Sequence, residues 1–174
     1  GGIKILKMMG ASIKIINKKT YGPEIVGDIV VKSSSLDGID IPDKYIASAI
    51  DEFPILFIAA ANASGKTLLK NAKELRYKES DRLLTMSNGL SECNIRNRLT
   101  EDGIEIEGGN FTGGTIDSYG DHRIAMSFAI AGLISKKPIT ILNTKNVSTS
   151  FPGFYNLIKD MGLNIERGNV WIIK

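Results

Sequence analysis

Asp51-Glu52-Phe53-Pro54-Ile55-Leu56-Phe57-Ile58-Ala59-Ala60-Ala61 is the stretch whose reading decides the fold. After two carboxylates, residues 53–61 carry no polar side chain, so the run is too apolar on every side for a surface helix and reads as a helix enclosed in a core. Pro54 suits its first turn, where a missing backbone N–H costs no hydrogen bond. The pattern returns at Asp121-His122-Arg123 followed by the apolar run Ile124–Leu133, with Asp51 and Asp121 70 positions apart. Each run leads into a short strand, Thr67-Leu68-Leu69 or Ile139-Thr140-Ile141-Leu142.

Outward from these two helices a smaller unit recurs, an amphipathic helix followed by an alternating strand. Ile3, Leu6 and Met9 are spaced for a helix before a strand in Ser12–Ile16; Leu83–Leu90 precedes Gly103–Glu107; Phe154–Met161 precedes Val170–Ile173. Gly108-Gly109 and Gly113-Gly114 lack a following Lys-Ser/Thr pair and read as hairpin turns. Repeated strand–helix–strand–helix–strand units predict an α/β (α+β) fold, one domain over 1–174 without a low-complexity linker. The opening Gly1-Gly2-Ile3, already beside a helix, reads as the start of a fragment.

Composition narrows the class. A chain of 174 residues with 43% hydrophobic content can bury a core, and its one cysteine, Cys93, excludes an internal disulfide framework. No Cys/His cluster proposes a metal site. A net charge of +3 from scattered lysines is not a nucleic-acid footprint, and no apolar run reaches membrane-spanning length. The Asn-x-Ser/Thr triplets at Asn62, Asn110 and Asn146 are read as chance, and a cytoplasmic location is expected.

Three clusters of charge lie at helix starts: Ile50–Pro54, Arg76–Arg82 and Tyr119–Arg123. A helix N-terminus offers unpaired N–H groups and partial positive charge to phosphate or carboxylate, and the guanidinium forks of Arg82 and Arg123 add to it. An anion pocket is the economical reading. Plainer readings stand beside it: Asp51 and Asp121 as N-caps only, Lys78, Glu79 and Arg82 as a solvated ion-pair patch, and His122 as a hydrogen-bonding strut.

The stretch Leu75-Arg76-Tyr77-Lys78-Glu79-Ser80-Asp81-Arg82-Leu83 resembles the signature of EPSP synthases. Gly120-Asp121-His122-Arg123-Ile124-Ala125-Met126 resembles a second signature of that family, Ser150-Phe151-Pro152-Gly153-Phe154 a third, and Ile50–Pro54 fits at its place upstream. The four, in order, cover nearly the whole chain. The resemblance implies β-α-β-α-β-β units, the C-terminal part of the two-domain enolpyruvyl transferase fold, and an absent N-terminal domain as partner. It implies transfer of the enolpyruvyl group from phosphoenolpyruvate to the 5-hydroxyl of shikimate 3-phosphate without metal or organic cofactor. By motif, Asp51 would bind and deprotonate the hydroxyl, Lys78 would contact shikimate 3-phosphate, and Glu79 would exchange the proton at C3. Arg82 and Arg123 would clamp phosphoenolpyruvate, with His122 and Asp121 in support.

One departure from the family pattern is Val147-Ser148-Thr149-Ser150-Phe151-Pro152, which lacks the lysine some members carry before Ser/Thr-Phe-Pro; Lys145 is the nearest substitute. Two alternatives remain from the sequence: an enolpyruvyl transferase acting on a nucleotide sugar, and a non-catalytic anion-binding module. The Lys78–Arg82 motif favours the shikimate enzyme, and the fragment alone is expected to be inactive.

Overall fold

The computed structural model describes residues 1–168 and 170–174. Helix α1 (Gly2–Met8) enters a two-stranded antiparallel sheet, β1 (Ser12–Tyr21) with β2 (Glu24–Lys32). Helix α2 (Phe53–Ala61), β3 (Lys66–Leu69), helix α3 (Arg82–Glu92), β4 (Asn97–Leu99) and β5 (Ile104–Glu107) follow. The chain continues through β6 (Gly114–Asp117), α4 (His122–Ala131), β7 (Ile139–Leu142) and the short helices α5 (Val147–Ser150) and α6 (Phe154–Asp160), and closes with β8 (Ile165–Arg167) and β9 (Trp171–Ile173).

Two sheets share one plan. The later one runs β6-β7-β9-β8, with β6 parallel to β7 and the other neighbours antiparallel. The earlier one runs β3-β5-β4, and the extended segment around Asp37 and Asp40 lies parallel to the β3 side through bridges to Ser64 and Leu68, taking the place of β6. Each is a β-α-β-α-β-β unit, and α1-β1-β2 repeats the closing α-β-β portion. The mixed helix-and-sheet architecture expected from the sequence is what the chain forms.

The enclosed helices behave as their composition dictates. In α2, Phe53, Leu56, Phe57, Ile58, Ala60 and Ala61 are all buried, covered by α4, α3, α1 and strand β5, and only Ile55 is exposed. Each large apolar side chain so enclosed contributes about 1.5–3 kcal/mol relative to exposure. Packed side by side, α2 and α4 start at the same end of the molecule as α3, which is where the charged clusters meet. Among the described residues no helix is long and apolar enough to cross a membrane.

Four details differ from the sequence reading. The glycine pairs are not hairpin turns. Gly108 instead extends β5 past Gly65, where a Cβ would stand 1.6 Å from the Ala63 carbonyl oxygen, and Gly113, at φ +80°, opens the crossing into the other sheet. Asp51 caps no helix: it sits in the 3-10 turn Ala47–Glu52, and α2 starts without a side-chain cap. The buried stripe of α1 is Ile5 with the following Met9, while Ile3 and Leu6 are half-buried. Strand β1 is twice the expected length and pairs with β2, a strand the alternation did not reveal.

Candidate active site

Two of the three helix starts are capped as carboxylates at such positions should be. The Asp81 Oδ1 accepts the Leu84 backbone N–H at 3.0 Å, and the Asp121 Oδ1 accepts the Arg123 N–H at 2.9 Å. Because Asp121 is fully buried at the start of α4, its second oxygen faces inward, where it meets Arg82.

Arg82 is the centre of the site. Its side chain is 1% exposed, yet each guanidinium nitrogen has a carboxylate: Nε donates to Asp121 Oδ2 at 2.8 Å, Nη1 to Asp51 Oδ1 at 2.9 Å, and Nη2 to Glu79 Oε2 at 2.5 Å. Burial works against the charge, but the hydrogen bond and field of Asp121, then those of Asp51 and Glu79, outweigh it and hold the pKa above its ordinary value. Ser80 completes the inner wall, its hydroxyl donating to Asp121 Oδ2 at 3.1 Å.

The outer wall is more open. Arg123 donates through Nη1 to the Asp51 carbonyl oxygen at 2.8 Å and places Nη2 3.9 Å from the Asp51 carboxylate. Lys78 lies 3.9 Å from Asp51 and 2.7 Å from Glu74, whose hydrogen bond raises the lysine pKa. The Arg82 hydrogen bond, opposed by desolvation and reinforced by the Arg123, Arg82 and Lys78 charges, holds the Asp51 carboxyl below its ordinary 3.8. Asp51 and Arg123 also edge a groove of about 250 Å³ whose floor is apolar, with Pro54, Met126, Phe151 and Phe154. Larger hollows beside β4–β5 and along the β1–β2 hairpin are lined by no residue of this cluster.

The structure thus brings together Asp51, Lys78, Glu79, Arg82, Asp121 and Arg123 from three separate stretches of chain. His122 begins α4 half-buried, and its ring makes no hydrogen bond to Glu79 among the described residues. Lys145 is not brought in: it lines a different hollow with Ser148, Arg167 and Trp171. Three residues that hold the cluster in place were given no role from the sequence. Glu74 was legible as the i,i+4 partner of Lys78. The Ser80 contact with Asp121 and the anchoring of Arg76 are long-range and left no local signal.

The arginine ringed by carboxylates lies where three helix starts converge, in a chain with many relatives. Residues 2–158 match the model of the EPSP synthase (3-phosphoshikimate 1-carboxyvinyltransferase) family. A 3-phosphoshikimate 1-carboxyvinyltransferase of Legionella pneumophila (strain Corby) is 52% identical over 167 residues, 96% of this chain and 39% of that protein. One from Methylococcus capsulatus is 52% identical over 166 residues, 95% of this chain and 38% of that protein. The solved EPSP synthase from Acinetobacter baumannii superimposes with a TM-score of 0.90 at 51% identity, covering 94% of this chain and 39% of that one. The enolpyruvyl transferase NikO from Streptomyces tendae, at 17% identity and a TM-score of 0.60 over 98% of this chain and 38% of its own, shares the fold. The chain spans about two-fifths of the length of the relatives it matches. On the family match, the half-identity relatives and the superimposed fold together, this chain belongs to the EPSP synthase family.

Proposed function

We propose that this chain is most of the C-terminal domain of a 3-phosphoshikimate 1-carboxyvinyltransferase and carries about half of its active site, the other half coming from an N-terminal domain. The observation that carries the reading is Arg82 gathering Asp51, Glu79 and Asp121 at one point, with Arg123 and Lys78 on the open side. The activity for which the relatives are named supplies the reaction class, and the chemistry fits these groups.

In this reading an anionic oxygen of phosphoenolpyruvate exchanges with a carboxylate at the outward nitrogens of Arg82, and Arg123 binds a second. The exchange has a chemical consequence. Asp51 loses the hydrogen bond that keeps it a weak base, its pKa rises, and it can take the proton of the 5-hydroxyl of shikimate 3-phosphate as that oxygen bonds to C2. Glu79, released from Arg82 Nη2, takes up a proton from solvent and delivers it to C3, giving a tetrahedral adduct. Return of a C3 proton to Glu79 re-forms the double bond as the C2–O bond to phosphate breaks. Every step is a proton transfer or an exchange at C2–O, which asks for no redox or metal cofactor. Lys78 holds shikimate 3-phosphate; Asp121 and His122 support Arg82 and Arg123. A cytoplasmic setting keeps the lone Cys93 reduced.

The test is phosphate release with both substrates. The full-length protein should turn over, and the 174-residue chain alone should not, since holding two reactants in line contributes up to about 7–11 kcal/mol that an open half-site cannot supply. Sustained turnover by the isolated chain, or none by the full-length protein with shikimate 3-phosphate, would overturn the reading.

A further inference from the structure

Arg76 lies outside the carboxylate cluster, yet few side chains in the molecule are held as tightly. Its Nε donates to the Glu101 carbonyl oxygen at 2.6 Å, its Nη2 to the Thr100 carbonyl oxygen at 2.6 Å, and its Nη1 to Asp81 Oδ2 at 2.7 Å. Two of these acceptors are backbone atoms at the tip of the β4–β5 hairpin; the third is the N-cap of α3. Only a planar guanidinium reaches three such acceptors at once.

The Arg76–Asp81 pair closes a loop of four residues, Tyr77-Lys78-Glu79-Ser80, and fastens it to the hairpin. Three bonds steady this loop from the other side: Glu79 to Arg82, Ser80 to Asp121, and Lys78 to Glu74. The Glu79 bond is the one that substrate oxygens take over at Arg82 in the proposed reaction, and Lys78 turns toward a phosphate. The Arg76 fork touches none of the groups that exchange, so it holds its grip when the others let go.

We infer that Arg76 is a positioning residue, a brace that keeps Lys78 and Glu79 in place during turnover by tying their loop to the β4–β5 hairpin. The inference rests on the reading of Glu79 as the C3 proton carrier. A misplacement of about 1 Å in such a group can cost on the order of 10²-fold in rate, whereas ground-state contacts from Arg123 on α4 are unaffected.

Two measurements on the full-length protein test it. The first is a kinetic cycle of Arg76→Ala, Glu79→Gln and the double variant. Arg76→Ala should lower kcat by about 10-fold to 100-fold while KM for phosphoenolpyruvate moves less than about threefold. In the Glu79→Gln background the same change should lower kcat less than about twofold, because a residue acting through Glu79 has nothing left to act on. Arg76→Lys, which cannot make the threefold fork, should restore only part of the rate. The second is limited digestion with a lysine-specific protease. Cleavage after Lys78 should accelerate about 10-fold or more in Arg76→Ala, with the other cuts unchanged, where general loosening of the fold would accelerate them all. Wild-type kcat in Arg76→Ala, a full loss repeated in the Glu79→Gln background, or unchanged cleavage after Lys78 overturns the brace. Wild-type kcat in Glu79→Gln instead refutes the role given to Glu79, and the cleavage result then decides the brace by itself.

Discussion

Asp121 holds two structural tasks in one buried carboxylate, and its replacement separates them. In Asp121→Asn the side-chain oxygen can still cap α4 at the Arg123 N–H, but the charge facing Arg82 Nε is gone. A charge-assisted hydrogen bond contributes about 1.5–3 kcal/mol, and Arg82, 1% exposed, has no water to turn to. Asp51 and Glu79 keep their own bonds to the guanidinium, which places the expected loss inside that range rather than at the about 3–5 kcal/mol of an abandoned buried ion. Asp121→Ala removes the cap as well, adding about 0.5–2 kcal/mol. Against a typical total of about 5–15 kcal/mol, the Ala variant of the 174-residue chain should be visibly destabilised and the Asn variant less so. Urea unfolding followed by far-UV circular dichroism reads both losses, provided the slope of free energy against urea is unchanged. If Asp121→Asn lies within about 0.5 kcal/mol of wild type, Arg82 does not depend on Asp121 and the account of the buried cluster is wrong.

Three further outcomes follow from the geometry. Replacing Arg123 by Ala in the full-length protein should raise KM for phosphoenolpyruvate about tenfold or more, as loss of a charged hydrogen bond implies, and steady-state kinetics that leave KM unchanged would remove it from the clamp. The Asp51 carboxyl has its pKa depressed mainly by the Arg82 hydrogen bond, so its contribution to stability is fully present above the ordinary 3.8 and is lost as pH falls below it. Acid unfolding profiles of wild type and Asp51→Asn should therefore keep a constant separation above about pH 4 and draw together as pH falls below it; parallel profiles would contradict the shift. Burial pushes the Cys93 thiol up to about 12, so a disulfide reagent at pH 8 should react with it only after unfolding.

Sequence legibility followed the range of the interactions. Helix α2 was readable to the residue because nine successive apolar side chains leave a helix no polar face for water, and Asp121 was readable as a cap because a cap is made within three positions of itself. Asp51 misled for the opposite reason. It stands where caps stand, but its carboxylate bonds to Arg82, 31 positions away, a contact with no local trace. Strand β2 was missed because every one of its residues is exposed, and without a covered face there is no alternation to detect. The glycine pairs were mistaken for turns because sequence alone does not distinguish a glycine needed for φ from one needed to let another backbone approach. Of the site, the motif residues were legible through family resemblance, Arg76 among them, but the role of Arg76 was not, since two of its three acceptors are backbone carbonyls of another hairpin.

The β1–β2 hairpin has a bearing on how the free chain would behave in solution. Its two strands form a sheet by themselves, with Ile25, Ile29 and Val31 more than half exposed and Ile15, Ile16 and Val30 partly so, and both outer edges keep unpaired backbone donors and acceptors. A ribbon of β-branched residues with open edges is a template for strand addition, and solubility then becomes a matter of concentration. The lysines at 14, 18, 19 and 32 give it some mutual repulsion, which salt would screen. Sedimentation of the isolated chain should accordingly show self-association that grows with protein and salt concentration, and Ile29→Lys, placing a charge in the middle of β2, should suppress it without changing the rest of the fold.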